Sequence, residues 1–226
     1  MNAYLTGLSE PTRSIHRRTV TKLFVATVIL GLTTSVSTRA ALSDGSDPGA
    51  PIRQLNTALL AAMKAGQSIS FEQRCVMLAP AVEHAFDLDS VLQASVGMRW
   101  SALTADERAA LANAFRRYTI SSYAANFDSY SGQKFQVQPD PRRLSSGGVV
   151  LRTQIVRASG SPVEIDYVMR QTSASWKAVD VLADGAISRV AVQRSDFTTL
   201  LQRGGVLALE HGLEHKVATL SNGSAT

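Results

Sequence analysis

The chain has 226 residues, of which 45% are hydrophobic and 18% are charged, and its formal net charge is +5. Five of its 23 basic residues but one of its 18 acidic residues fall within the first forty positions, so the remainder is nearly neutral, with 18 basic and 17 acidic side chains. A nucleic-acid-binding function, which needs a clustered basic face, therefore loses its main compositional support. The single cysteine, Cys75, excludes an internal disulfide, and its position far from the leader speaks against a lipidated N-terminus.

The first forty residues have the pattern of a secretory leader. Arg17, Arg18 and Lys22 precede an uncharged apolar run at residues 23–32, and small residues lead to Ala40. The run is too short for a bilayer span, which needs about twenty residues. We predict a signal peptide over residues 1–40, ordinary unfolded secretion, and export of the mature chain. Composition then predicts a flexible lead-in at 41–51, one domain at 52–220 and a flexible tail at 221–226.

Apolar residues recur at helical spacing through the first half of the domain. Ser70 with Gln73, and Thr104 with Glu107, have the spacing of capping boxes, which predicts that a helix begins after each of them. The predicted helices cover residues 52 to 63, 71 to 82, 88 to 92 and 105 to 127.

The longest of these helices carries two apolar stripes on different sides. One stripe holds Leu111, Phe115 and Tyr118, and the other holds Ile120, Tyr123, Phe127 and Tyr130. A helix with one solvent-exposed side needs only a single apolar stripe, on its buried side. The pattern therefore predicts either a helix that bends around the domain or a second half that lines something apolar.

The period then changes from 3.6 to 2, which predicts strands. Alternating apolar residues and short Gly-, Pro- and Ser-containing turns predict antiparallel strands at 134–138, 149–155, 163–169 and 176–183. Helical spacing returns at 196–201 and 206–220. This segregation predicts an α+β fold, with a twisted antiparallel sheet of about four strands covered by N-terminal and C-terminal helices.

Motifs for catalysis are weak. His211, Glu214 and His215 spell the inverted zinc-protease signature H-x-x-E-H, but the eleven residues that follow contain no further acidic ligand. The serine-hydrolase elbow G-x-S-x-G and the phosphate-binding glycine loops are absent from the sequence. Asp87 and Asp89 fit a helix start better than a catalytic pair. We therefore predict no enzyme activity, no metal site and no cofactor.

A set of short motifs, taken in order, resembles the MlaC and toluene-tolerance family. The motifs cover roughly residues 52–213, and they are Phe86, Asp87, Leu88; Gly97, Trp100, Leu103, Thr104; Phe115; Tyr123, Phe127, Tyr130, Ser131; Pro162, Val163, Ile165, Asp166, Tyr167; Trp176, Lys177, Val179, Asp180, Val181; and Gly185, Arg194, Phe197. After the last strand the stretch 184–188, with Val192 and Gln193 before Arg194, departs from transporter-linked members. It looks more like HpnM, the hopanoid-associated branch.

The resemblance implies a soluble, monomeric periplasmic carrier that holds a phospholipid or hopanoid-type lipid between sheet and helices and shuttles it between two membranes. It also implies two partners: an inner-membrane ABC transporter with its membrane-anchored lipid-binding subunit, and an outer-membrane lipoprotein complex. On this basis, the residues expected to face the lipid are Val149, Leu151, Ile155, Val163, Ile165, Tyr167 and Met169 on the strands, with Tyr123, Phe127, Phe197 and Leu201 closing the cavity.

Two further expectations concern polar residues and alternatives. Asp166 and Arg194 are expected to play structural roles: their opposite charges suit them to pair, and a lone buried charge is costly. No charged residue is assigned to a lipid head group.

The main alternative is a non-enzymatic interaction module whose apolar strand face is filled by its own helices. A metal-dependent enzyme using His211 and His215 is a distant third.

Overall fold

Five α-helices and seven β-strands make up the part of the chain that the computed structural model describes, residues 47–223. The predicted leader, residues 41–46 of the lead-in and residues 224–226 of the tail lie outside the described residues. In chain order, the elements are α1 (Ala50–Ala65), α2 (Phe71–Ala85), α3 (Leu88–Val96), α4 (Ala105–Asn126), β1 (Lys134–Val137), β2 (Arg142–Arg143), β3 (Val149–Leu151), β4 (Thr153–Val156), β5 (Val163–Gln171), β6 (Trp176–Ala183), β7 (Ile187–Ser188) and α5 (Arg189–Gly223), with 3₁₀ turns at Gly66–Ser68 and Gly97–Ala102. The α+β class is confirmed.

The helix starts follow the predicted capping chemistry. Ser70 accepts a hydrogen bond from the Gln73 amide (3.2 Å), and the Gln73 side chain accepts one from the Ser70 amide (2.8 Å). Thr104 and Glu107 form the same reciprocal pair at the start of α4. Asp87 caps α3, which confirms the helix-start interpretation of that acid. Each cap satisfies backbone amides that a helix leaves free in its first turn.

The sheet is antiparallel, with the order β1-β4-β5-β3-β2 and with β6 and β7 added beyond the other edge of β5. Its longest pairing joins β5 to β6, and a bulge interrupts this ladder between Val168 and Met169. β3 and β4 keep one register against β5, since Leu151 lies opposite Tyr167 and Ile155 lies opposite Val163. They therefore act as one long strand that breaks at Arg152.

The strand count exceeds the predicted four for local reasons. One predicted strand divides into β3 and β4, and β2 and β7 contain two residues each. A tight turn at Asp184 and Gly185, both with positive φ, leads from β6 into β7. Such a turn suits Asp-Gly because both central residues must adopt left-handed backbone conformations.

The two stripes of α4 belong to two separate hydrophobic clusters. Leu111 and Phe115, in the first half of α4, pack with α3 and α5. Ile120 and Ala124, in the second half, pack with α1, α2 and the sheet. The helix thus bridges two cores, which explains why one stripe is not enough.

The final helix begins earlier than the sequence suggested. α5 starts at Arg189, where the Asp180 carboxylate accepts hydrogen bonds from the Val190 amide (3.0 Å) and from the Ser188 hydroxyl (2.5 Å). It is interrupted at Gly204 and Gly205, in the gap between the two predicted helical segments. Within residues 47–223, none of the helices combines the length and the apolar character needed to cross a bilayer.

Candidate functional site

The inner face of the sheet, which turns toward α1 and α2, is apolar. Four of the residues predicted to face a lipid, Val149, Leu151, Tyr167 and Met169, are buried there in the first hydrophobic cluster. Helix residues such as Leu55 and Leu78 belong to the same cluster and are fully buried. The centre of the predicted lipid face is therefore packed against the protein's own helices.

The side chains of the inner face are less buried toward the end of the sheet where β5 begins. Phe135 lies opposite Ile155, and Ile155 lies opposite Val163, so the three side chains form one row across β1, β4 and β5. These three residues and Ile165 are only partly buried. Three of the four are positions predicted from the sequence.

The C-terminal end of α4 lies against this row. The Phe127 ring is 5.9 Å from the Phe135 ring, and the Tyr123 ring stacks on Phe127 at the same centroid distance. Tyr123 and Phe127 are also partly exposed. We call the set Tyr123, Phe127, Phe135, Ile155, Val163 and Ile165 the aromatic end.

Two tyrosines link the aromatic end to the packed centre. Phe86 lies between them, with ring centroids 5.7 Å from Tyr123 and 6.1 Å from Tyr167. Burial raises the pKa of Tyr167 to about 12 and also raises the pKa of Tyr123 well above its ordinary value, a shift to which the neighbouring Tyr167 contributes. The positive charge of Arg189 acts in the opposite direction and lowers the pKa of Tyr123, but its effect is smaller than that of burial. The hydroxyl pair is thus a protonated polar group held in apolar surroundings.

Phe197 and Leu201 do not lie with the strand residues. Both are buried in the second cluster, where the Phe197 ring meets the Phe115 ring edge-on at 6.2 Å. The expectation that they close a cavity over the sheet is therefore corrected. The helical spacing of apolar residues indicates that a residue is buried, but it does not indicate in which of the two hydrophobic clusters the residue lies.

Two pockets formed by the described residues have volumes of about 280 and 310 Å³. Val149 lines the first, with Trp176 and Arg143 among its neighbours, and none of the other predicted residues lines either pocket. Ligand pockets for drug-sized molecules measure roughly 300–1,000 Å³. Neither pocket is large enough for a lipid with two acyl chains.

Two aromatic residues of this region, Phe135 and Phe86, are not among the residues predicted to face a lipid. Phe135 lies in the predicted strand 134–138, and its alternation with polar residues places it on the same face as Val137. Phe86 follows the end of α2 and forms an isolated parallel bridge with Ala178. No periodic pattern extends through Phe86, so only tertiary structure reveals its place between the tyrosines.

The residues considered for chemistry are dispersed. His211 and His215 are exposed on α5, and Glu214 forms an ion pair with Arg117 (3.2 Å). Cys75 is half-buried with its sulfur 4.0 Å from the Ser121 hydroxyl, so it is less buried than an apolar core residue would be. Among residues 47–223, no group of three or more His, Cys, Asp or Glu side chains is placed to hold a metal ion.

Asp166 and Arg194 do not pair with each other. Asp166 accepts a hydrogen bond from the Thr153 amide (3.2 Å), whereas Arg194 donates to the Ala94 carbonyl (2.8 Å). Burial raises the pKa of the Asp166 carboxyl. Both residues join neighbouring elements, one within the sheet and one between α5 and α3.

Comparison with known proteins identifies the family. The family model described as MlaC protein matches residues 53–215, which is most of the chain. The chain belongs to the MlaC family. This match confirms the family that the sequence motifs resemble, and no curated protein matches the chain.

Among solved structures, this MlaC-family chain is similar to a phospholipid-binding protein from Ralstonia solanacearum, solved in complex with a phospholipid at 1.53 Å resolution. The two share 21% sequence identity with a TM-score of 0.67, and the match covers 77% of this chain and 99% of the other. At this identity the likeness establishes a common fold, with helices against a curled antiparallel sheet.

Proposed function

We propose that this protein is a periplasmic lipid carrier that binds the apolar part of a phospholipid or hopanoid-type lipid and shuttles it between the inner and outer membranes without chemical change. The observation that carries the proposal is the aromatic end. There, apolar side chains from α4 and three strands adjoin the core yet stay partly exposed. Membership of the MlaC family and the phospholipid bound to the Ralstonia protein support it.

The energetics define what such a carrier must do. Two sixteen-carbon chains contain about 28 methylene groups, and at about 0.8 kcal/mol each their exposure to water costs on the order of 20 kcal/mol. A carrier has to replace nearly all of that apolar environment. Neither of the two pockets described above, of about 280 and 310 Å³, is large enough for both chains, and we propose that the acyl chains enter by separating surfaces that are in contact here.

The aromatic end is the place where separation costs least. Its side chains are already partly exposed, whereas Leu151 and Met169 at the centre of the sheet are almost fully buried. Parting the end of α4 from β1 therefore exposes little new apolar surface, and the acyl chains cover what is exposed. We propose that chains enter between Phe127 and Phe135 and extend along the row of Ile155 and Val163 toward the tyrosine pair.

The cellular setting is part of the same proposal. The leader pattern at residues 1–40 supports export to the periplasm. An inner-membrane ABC transporter with its membrane-anchored lipid-binding subunit, and an outer-membrane lipoprotein complex, are the proposed partners. The stretch Asp184–Ser188 supports a place in the hopanoid-associated HpnM branch, so both lipid classes are candidate cargo.

A matched pair of variants tests the site. Ile155→Glu places a carboxylate in the aromatic end, and Val76→Glu makes the same kind of change on the outer face of α2, where Val76 is 75% exposed. After incubation with phosphatidylcholine vesicles and removal of the vesicles, phospholipid held per protein is measured by mass spectrometry. Because a buried charge next to acyl chains is costly, the Ile155 variant should hold at least about tenfold less lipid than wild type.

The Val76 variant should hold as much lipid as wild type. Equal retention by both variants would place the lipid elsewhere on the molecule. Retention of no lipid by the wild-type protein would favour the interaction module with a filled core, an alternative to which the packed centre of the sheet lends support.

A further inference from the structure

The outer face of the sheet, opposite the lipid face, carries a group of basic side chains. Arg142 lies opposite Val150, which lies opposite Val168, and alternation along these strands puts Arg152 and Arg170 on the same side. Lys134 on β1, opposite Val156, shares this side. All four basic residues are exposed. We call Lys134, Arg142, Arg152 and Arg170 the basic face.

The charged groups of these four side chains have no partner in the described part of the chain. Within residues 47–223, no hydrogen bond or ion pair joins any of them to another residue. Other basic residues are engaged: Arg53, Arg116 and Arg117 pair with acids, whereas Arg74, Arg108, Arg157, Arg194 and Lys177 donate to backbone carbonyls. Four more basic side chains in residues 47–223, those of Lys64, Arg99, Arg143 and Arg203, also form no hydrogen bond or ion pair. Half of the basic side chains without such a partner therefore lie on one side of the sheet.

Three acidic residues share the outer face but do not neutralise it. Asp180, opposite Val168, is half-buried and accepts hydrogen bonds from the Ser188 hydroxyl and the Val190 amide. Asp166 is 9% exposed and is occupied by the Thr153 amide, with the charges of Arg152 and Arg142 acting on it from a distance. Glu164 is exposed. Four accessible cations thus face one accessible carboxylate, although the mature chain as a whole is nearly neutral.

We propose that the basic face docks the protein reversibly on the anionic surface of a phospholipid membrane. Guanidinium groups form paired hydrogen bonds with phosphate oxygens, so arginines suit lipid phosphates. Protein interfaces instead depend on apolar or aromatic anchors, and this face offers no large exposed one. The large exposed apolar residues lie elsewhere, at Val76, Met77, Met98, Tyr130, Ile187, Val192 and Leu207.

The proposal rests on exposure and charge and is independent of the lipid cargo. Each basic residue near an anionic membrane strengthens binding about fivefold, and the attraction falls off within a Debye length. Four such residues give attachment that salt reverses readily. Reversible attachment suits a protein that has to leave the membrane again.

The chain offers a matched control for the test. Arg99 and Arg203 are also exposed and free of hydrogen bonds and ion pairs in the described part of the chain, but they lie in the 3₁₀ turn at Gly97–Ala102 and on α5. We compare the double variant R142Q/R170Q with the double variant R99Q/R203Q. Both remove two positive charges, and thermal melting verifies that both remain folded.

Binding is measured by vesicle co-sedimentation with the mature protein. Wild type should bind vesicles of 70% phosphatidylcholine and 30% phosphatidylglycerol, should not bind pure phosphatidylcholine vesicles, and should be released by 0.5 M salt. R142Q/R170Q should bind about 25-fold more weakly, and R99Q/R203Q should bind like wild type. Equal loss in both variants, or no binding of wild type to anionic vesicles, would overturn the proposal and leave the face to an acidic protein partner.

Lipid held by the protein is measured separately, as described for the Ile155 variant. R142Q/R170Q should retain lipid normally once loaded. Failure of docking and failure of lipid binding therefore give different results.

Discussion

Arg74 provides the most direct test of how the wall beside the aromatic end is held together. Its side chain is 3% exposed and forms no ion pair in the described part of the chain. Its guanidinium donates to the Ala124 carbonyl of α4 (3.0 Å), to the Gly66 carbonyl after α1 (2.8 Å) and to the Ile69 carbonyl (3.4 Å). Two of these carbonyls belong to C-terminal ends of helices, where the helix dipole favours a cation.

The change Arg74→Met keeps most of the side-chain volume and removes all three hydrogen bonds. Each bond to a charged donor contributes about 1.5–3 kcal/mol, and part of that is offset because the buried charge disappears. We expect a net loss of about 2–4 kcal/mol. For a domain of this size, that loss lowers the melting temperature by roughly 4–16 °C.

Thermal unfolding followed by circular dichroism measures the effect. Arg74→Lys keeps the charge and some of the donors, so its melting temperature should lie between those of Arg74→Met and wild type. A Met variant that melts within about 1 °C of wild type would refute the claim that Arg74 fastens α4 to α1 and α2. Because this link fixes the end of α4, we expect the sheet to be the side that moves when a lipid enters.

Two further predictions concern stability. Since burial raises the pKa of Tyr167 to about 12 and also raises that of Tyr123, the unfolded chain releases these phenolic protons first. These groups should therefore leave the free energy of unfolding, measured with urea, unchanged below about pH 9. As the pH rises from 10 toward 12, that free energy should fall by up to about 1.4 kcal/mol per pH unit for each tyrosine. The fall should be smaller in Tyr167→Phe, and an identical fall in that variant would contradict the role of Tyr167. Thr104→Ala removes the cap of α4 and should cost about 1 kcal/mol in urea unfolding, whereas Thr199→Ala, on the exposed side of α5, should cost less; equal losses would argue against the capping role.

Local chemistry explains which parts of the fold the sequence predicted. Ser70 with Gln73 and Thr104 with Glu107 form the capping boxes that their spacing indicates, because capping is a contact within four residues. β6 has the predicted bounds, Trp176–Ala183. β2 and β7 were missed because two residues are too few to show a period.

The predictions that were wrong or incomplete concern residues whose positions depend on tertiary contacts. Phe197 and Leu201 have the spacing of buried helix residues, but the choice between two clusters is made by the packing of α3, α4 and α5. Asp166 and Arg194 have opposite charges, but each side chain forms a hydrogen bond with a backbone group instead of an ion pair with the other. Phe86 joins the site through the position of its neighbours in space, which no spacing in the sequence encodes.

Mass spectrometry of lipid extracted from the protein, purified from the periplasm of its native host without detergent, tests the central claim most directly. We predict close to one lipid per protein chain, either a phospholipid or a hopanoid, with much less in the Ile155→Glu variant prepared in the same way. A wild-type protein that carries no lipid, and that also takes none from vesicles, would contradict the account.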